Sequence, residues 1–249
     1  MNFQERKRLI LSFLEEVPSM NVADLAGKLR VSEITVRRDL NTMAAKGLVT
    51  RTHGGVMHNR HAEDPTVFTN KQISNLDLKL KIAERASTFI QDGDIVFMDC
   101  GSTVLCMANF VRTKRITVIT NSLPLVSALI GTKVKINLVG GEIDHARQAV
   151  HGLIAVDHIK RYRASKAFIG VDGITADGLF AHSEAEASIT LAYAKRARQV
   201  ILLCDSSKLN KSTYLNFASV SDINMLITDD TASDEVTRSL ANAGLTVLK

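Results

Sequence analysis

"VSEITVRRDL", Val31 to Leu40, sets two adjacent arginines behind a serine on a segment with helical spacing. At about 100° per residue, Val36, Leu40 and Met43 gather on one side, which must be the packed one. Measured from there, Arg38 points to nearly the opposite side, among Ile34, Thr35, Asn41 and Thr42. A guanidinium so placed suits a helix entering the major groove, where it reads guanine O6 and N7. Arg37 lies on the flank, one turn after Glu33, and suits an i,i+4 pair or a phosphate instead.

The flanks complete a small domain. "QERKRLILSFLEEV" repeats apolar residues at Leu9, Ile10, Phe13 and Leu14, and "VADLAGKLRV" does so at Leu25, Ala26 and Leu29, with Asn21 placed to cap it. Pro18 and the residues around it break the chain between them. The third helix starts at Ser32, an N-cap type, and stops at Gly47, a C′ type. Beyond it, "LVTRTHGGVM" runs extended around Gly54 and Gly55, which predicts a β-ribbon. Three helices with a tight turn before the third, then a wing, describe a winged helix-turn-helix over residues 1–58. The expected DNA contacts are Ser32, Ile34, Thr35, Arg37, Arg38, Asn41 and Thr42 on the helix, with Arg51, Thr52 and His53 on the wing.

Charge points the same way. Residues 1–61 hold ten Lys/Arg against six Asp/Glu, and residues 62–249 hold 21 against 20. The net +5 of the 249-residue chain therefore sits almost wholly in its first quarter, which favours an anionic partner there. No stretch is apolar for the roughly 18 residues a membrane span needs, and "MNFQERKRLI" has no apolar signal region, so a cytoplasmic protein is expected. Cys100, Cys106 and Cys204 lack CxxC spacing and read as reduced thiols. His53, His58 and His61 share no helix face, so neither metal nor cofactor is expected.

Residues 59–75, "NRHAEDPTVFTNKQISN", lose periodicity, carry Pro65 and read as a linker. Over residues 76–249 helical segments then separate short apolar strands such as "DIVFMD", "ITVIT", "KINLVG", "KAFIGVD", "QVILLC" and "INMLIT". That grammar predicts an α/β domain with a mostly parallel open sheet, covered on both faces. Polar residues gather just past the strands: Asp99 to Thr103, Asn121 and Ser122, Gly140 and Gly141, Asp172 and Gly173, Asp205 to Lys208, Asp229 and Asp230. Ligands of open parallel sheets bind outside those carboxyl ends, although each such loop also suits a turn or a cap.

"DCGST" has the parts of an anion cradle. Gly101 admits close backbone approach beside Cys100, Ser102 and Thr103 add hydroxyls, and the next helix brings its positive end. Lys208 or Lys81 would neutralise the anion, while Asp99 and Asp172 would repel phosphate and suit sugar hydroxyls. The ligand this predicts is a phosphorylated sugar or polyol.

"VSEITVRRDL" followed by "GLVTRTHGGV" resembles the helix-turn-helix signature of the DeoR family of bacterial transcription factors. "DGDIVFMDCGST", "TVITNS", "LVGG", "KAFIGVDGI", Glu186-Ala187, "LLCDSSK" and "LITD" extend the resemblance, in order, over nearly the whole chain. It implies a C-terminal sensor folded like phosphosugar isomerases and CoA-transferases, in a repressor of a sugar-catabolic operon. By the same resemblance Asp99, Gly101, Ser102, Thr103, Thr120, Asn121, Asp172, Gly173 and Lys208 contact the effector. Two positions depart from it: Ser102-Thr103 replaces the commoner pair of threonines, and Thr190 stands where many members are basic.

An isomerase-like fold raises catalysis as an alternative, with Asp172, Glu184 and Glu186 as the available carboxylates. No lysine- and glycine-rich loop like that of ribose-phosphate isomerases follows "VDGITADG", so no catalytic residue is expected. RNA binding fits less well still, because Phe3 and Phe13 are the only aromatics before the linker. A short reader helix covers few bases, so double-stranded DNA with two half-sites and a homo-oligomer, dimer or tetramer, is expected.

Overall fold

Asn21 stops one strand and starts a helix: its Oδ1 accepts the Asp24 N–H at 2.7 Å, satisfying a donor that the first turn leaves orphaned. The computed structural model describes residues 3–17, 19–45, 48–52, 54–58 and 68–249. The expectations for Pro18, Gly47, His53, His61 and Pro65 lie outside these residues. The chain divides into two units, Met1–Lys71 and Gln72–Lys249.

In the first unit the elements run α1 (Phe3–Glu16), β1 (Ser19–Asn21), α2 (Val22–Leu29), α3 (Glu33–Ala45), β2 (Val49–Thr52) and β3 (Gly55–His58). Ile10, Leu14, Leu25, Leu29, Val36, Leu40 and Met43 close one core, with Leu9 and Phe13 only partly buried at its rim. Arg30 ends α2 in the left-handed region, φ 54°, which turns the chain sharply into α3. The wing is the antiparallel pair β2–β3, with Thr52 opposite Gly55. The periodicity of the sequence does not reveal β1, which is too short, yet it pairs with β3 and makes the ribbon three-stranded. A side chain at Gly55 would put its Cβ 2.5 Å from the Met20 carbonyl, so β1 can approach only a glycine there.

The boundary between the units falls within α4 (Phe68–Ile73), a short helix inside the segment read as linker. Then come α5 (Leu76–Ser87), β4 (Ile95–Met98), α6 (Ser102–Cys106), α7 (Ala108–Val111), β5 (Thr117–Thr120), α8 (Leu123–Leu129) and β6 (Lys135–Leu138). The hairpin β7 (Glu142–Asp144) and β8 (Ala149–His151) leads to α9 (Leu153–Lys160), β9 (Ala164–Ile169), β10 (Gly173–Thr175) and β11 (Gly178–Ala181). The chain closes with α10 (Glu184–Arg196), β12 (Ala197–Leu203), β13 (Leu215–Ala218), β14 (Met225–Ile227), α11 (Asp234–Asn242) and β15 (Thr246–Leu248).

Seven strands form one parallel sheet in the order β15-β14-β12-β9-β4-β5-β6. Alternation along each strand sends side chains to two cores. Phe97, Ile169 and Leu202 pack with Ile159, Ile189 and Tyr193 on one face, where the Phe97 and Tyr193 rings lie 4.8 Å apart. Val96, Met98, Phe168 and Leu203 pack with Ile82, Val104 and Leu125 on the other. Starting at β4, the chain builds outward through β5 and β6, then returns to β9 and builds the opposite way. The order therefore reverses between β4 and β9, the switch point at whose carboxyl ends open parallel sheets take their ligands.

Candidate functional site

In the first unit α3 presents two faces. Ser32 Oγ accepts the Thr35 N–H at 3.3 Å and lies 2.9 Å from Thr35 Oγ1, capping the helix. Val36, Leu40 and Met43 are fully buried, while Ile34, Arg37, Arg38, Asn41 and Thr42 are exposed. Ile34 is 80% exposed, an apolar side chain with no core to enter. Arg37 Nη2 donates to Glu33 Oε2 at 3.1 Å, so the flank arginine is held and Arg38 is not. On the wing Thr52 is exposed and Arg51 half-buried, its Nη1 lacking a hydrogen-bond partner.

A residue without a periodic signal in the sequence, Asp39, fixes this helix. Asp39 is buried, and its carboxylate accepts Arg6 Nε at 2.6 Å and Arg6 Nη2 at 3.1 Å. The bond to Asp39 also raises the Arg6 guanidinium above its ordinary range.

In the second unit Asp99 ties the two strand ends at the switch point. Its Oδ1 accepts the Gly101 N–H at 2.7 Å, and its Oδ2 accepts the Gly170 N–H at 2.6 Å, joining the ends of β4 and β9. This duty differs from the expected one of receiving sugar hydroxyls. Both oxygens already serve the backbone, because the strand-end N–H groups have no other acceptor. Burial pushes the Asp99 carboxyl up to about 7, against the two N–H bonds that favour its charged form. A Cβ on Gly101 would lie 2.9 Å from Asp99 Oδ1, so the turn accepts no side chain without moving.

Around this tie the predicted residues divide. Lys208 donates from Nζ to the Val171 carbonyl at 2.8 Å, and its charge reaches Asp99. Ser102 and Thr103 are buried at the start of α6, and Ser102 Oγ has no hydrogen-bond partner among the described residues. Burial raises the Cys100 thiol far above the ordinary range. Asp172 Oδ2 lies 2.7 Å from His182 Nδ1 and accepts the His182 N–H at 3.0 Å. Gly173 sits where a Cβ would lie 2.1 Å from the Lys211 carbonyl, so it serves close packing.

Other candidates hold the frame. Thr120 Oγ1 accepts the Ser122 N–H at 3.0 Å, and Ser122 Oγ caps α8 through Leu125 N at 3.3 Å. Asn121, fully buried, donates to the Val150 carbonyl at 3.1 Å and accepts from the Tyr193 hydroxyl at 3.3 Å. Asp205 accepts the Ser207 N–H and Asp229 the Thr231 N–H of their own turns, the capping roles open to them in the sequence, and Asp229 also accepts the Ser206 N–H at 2.7 Å from the loop after β12. Gly140 donates to His158 Nδ1 at 3.1 Å, and Gly141 takes φ +150°, with the His151 carbonyl 2.5 Å from where a Cβ would stand. Lys81, its side chain 67% exposed, reaches Asp230 at 4.0 Å. Two residues not anticipated are Arg147 and His182, and Glu186 entered only through the resemblance and as a carboxylate of the catalytic alternative. The signal of Arg147 and His182, single side chains in segments without periodicity, is too weak to find in sequence. Beside Ser102 a largely apolar cleft of about 890 Å³ opens between α5, α6 and α8, lined by Leu76, Leu80, Leu105 and Pro124.

A reader helix with an exposed arginine face and a sheet domain with a cradle at its switch point define a DNA-binding regulator carrying a sensor. The DeoR-like helix-turn-helix domain matches residues 6–62 and the DeoR C-terminal sensor domain matches residues 74–230. The chain belongs to the DeoR family. It is 32% identical to the transcriptional regulator FruR of Bacillus subtilis, over 90% of each chain. It is 30% identical to the transcriptional regulator GlpR of Haloferax volcanii, over 98% of this chain and 96% of that one. A lactose phosphotransferase system repressor of Staphylococcus epidermidis is 31% identical, over 92% and 93%. Among solved structures, a ribose 5-phosphate isomerase of Methanocaldococcus jannaschii is 21% identical, with a TM-score of 0.39, over 54% of this chain and 55% of that one.

Proposed function

We propose that this regulator represses a sugar or polyol catabolic operon and that a phosphorylated sugar, bound at the β4–β9 crevice, alters its grip on DNA. The observation that carries this reading is the buried Ser102 hydroxyl, unpartnered among the described residues, in the turn that Asp99 ties. An orphaned hydroxyl at a switch point, in a turn whose aspartate feels the Lys208 charge, is a place for an anion's oxygens. Phosphate there would meet Ser102, Thr103, the backbone at Gly101 and Lys208; the sugar would extend toward Asp172. Repression of a sugar transport system, named for the staphylococcal relative, agrees with such an effector.

Arg38 reads a base and Arg37 holds phosphate, and a pair of reader helices, supplied by a homo-oligomer in the cytoplasm, spans two half-sites. The sensor performs no catalysis in this reading: the Asp99 carboxylate is committed to two backbone N–H groups and Asp172 to His182. No described helix is long and apolar enough to cross a membrane.

A gel shift on the promoter adjoining its own gene, run with a panel of phosphosugars, tests this. One phosphosugar should change operator affinity, and its unphosphorylated parent should not. An operator affinity unmoved by every phosphosugar at millimolar concentration would sink the sensor half of the reading.

A further inference from the structure

One charged pair beside the cradle has no part in that account. Arg147, in the turn of the β7–β8 hairpin, is buried, and its Nη2 donates to Glu186 Oε2 at 2.8 Å. Glu186 stands in the first turn of α10, where Ser183 Oγ accepts its backbone N–H at 3.3 Å. Geometry places the pair by the strand ends: the Leu123 N–H, just past β5, donates to the Gln148 carbonyl at 3.0 Å, and Gln148, next to Arg147, lines the same cleft as Ser102. The Glu186 charge also raises the Asp99 carboxyl. The pair thus joins Lys208 and the partnerless Ser102 hydroxyl around one turn.

Resting on the phosphosugar reading of this crevice, we propose that Glu186 stands in for the effector's phosphate. Its carboxylate neutralises Arg147 in the ligand-free chain and yields Arg147 to the incoming phosphate. The guanidinium is a planar fork of donors that matches phosphate oxygens two at a time, and Glu186 engages one nitrogen of that fork. Deleting one member of a buried pair strands the other charge; replacing one anion by another does not. The released carboxylate remains at the N-terminus of the 13-residue α10, where the helix dipole favours negative charge. Exchange of partners therefore frees α10 from the hairpin without exposing an unpaired cation. Ligand occupancy is thereby coupled to the packing of a helix that covers the sheet.

The experiment is a titration of the full chain with inorganic phosphate, followed by thermal shift, on wild type and three variants. Glu186→Gln should lower the half-saturating phosphate concentration about tenfold, because the internal competitor loses its charge. Arg147→Ala should raise it by about thirtyfold or more, and Lys208→Ala should raise it too. Tighter binding by Glu186→Gln is a gain that misfolding does not mimic, so that variant decides the matter if Arg147→Ala fails to fold. Wild-type behaviour in both pair variants, with Lys208→Ala weakened, overturns the exchange and leaves the phosphosugar reading standing. Equal weakening in both pair variants makes the pair structural and also overturns it. No phosphate binding by wild type at any concentration brings down both.

Discussion

Arg6 grips Asp39 through two nitrogens, at 2.6 and 3.1 Å, so the first helix holds the reader helix at the residue beside Arg38. Asp39 is buried, and cutting it to alanine leaves the Arg6 guanidinium without the partner that raises it. Asp39→Ala should cost about 2 kcal/mol, below the range for a wholly interior pair because Arg6 keeps some solvent. Thermal unfolding of the full chain should show the loss in the transition of the DNA-binding unit, at roughly 4–8 °C per kcal/mol for a domain of this size. An unchanged melting profile would mean that the pair contributes nothing.

The two arginines of α3 should separate in function. Arg38 is exposed and makes no ion pair among the described residues, whereas Arg37 is tied to Glu33. Arg38→Ala should cost about 1–3 kcal/mol on the operator and relax preference at one base pair. Arg37→Ala should weaken all sequences alike and reduce the salt dependence by about one phosphate contact. Binding measured against single-base operator variants at several salt concentrations distinguishes them; equal, sequence-blind losses would refute the division.

Legibility in the sequence followed the length of the repeat. The buried face of α3 is written three times over, in Val36, Leu40 and Met43, and the sheet strands are unbroken apolar runs, so both domains could be read from pattern. The short pairings could not: β1 has three residues, and the β7–β8 and β10–β11 hairpins have too few to show a period. The cradle turn was legible because Gly, Ser and Thr follow an apolar strand. The duty of Asp99 was not, since its acceptor role depends on Gly170, 71 residues away. Arg147 and Glu186 meet across 39 residues, a distance no local pattern records.

Asp99 makes stability depend on pH in a definite direction. Its folded carboxyl holds a proton up to about 7, and the unfolded chain releases it near 4. Across that window the folded state binds more protons than the unfolded, so stability falls as pH rises and levels off above about 7. The decline should be on the order of 4 kcal/mol. Asp99→Asn should be the less stable chain at pH 5, because an amide cannot accept from both Gly101 and Gly170, and the gap should narrow by pH 8. Denaturant unfolding at a series of pH values measures the gap; a constant gap would show that Asp99 does not titrate in this range.

Two glycines of the second domain should fail in different ways when given a methyl group. At Gly173 the added Cβ would sit 2.1 Å from the Lys211 carbonyl, a backbone atom held beside the β10–β11 hairpin. Backbone cannot step aside as a side chain does, so Gly173→Ala should destabilise the domain by about 1–3 kcal/mol. At Gly101 the nearest atom is Asp99 Oδ1 at 2.9 Å, then the Gly170 Cα at 3.4 Å, and the backbone itself is unstrained. Asp99 can yield only by lengthening its bonds to Gly101 and Gly170, which moves the cradle more than it harms the core. Gly101→Ala should therefore cost about 1 kcal/mol of stability, yet lose phosphate affinity out of proportion to it. Melting curves and phosphate titrations on both variants give the comparison. If Gly173→Ala lost phosphate binding while Gly101→Ala kept it, the anion would lie at the hairpin and not at the β4–β9 crevice.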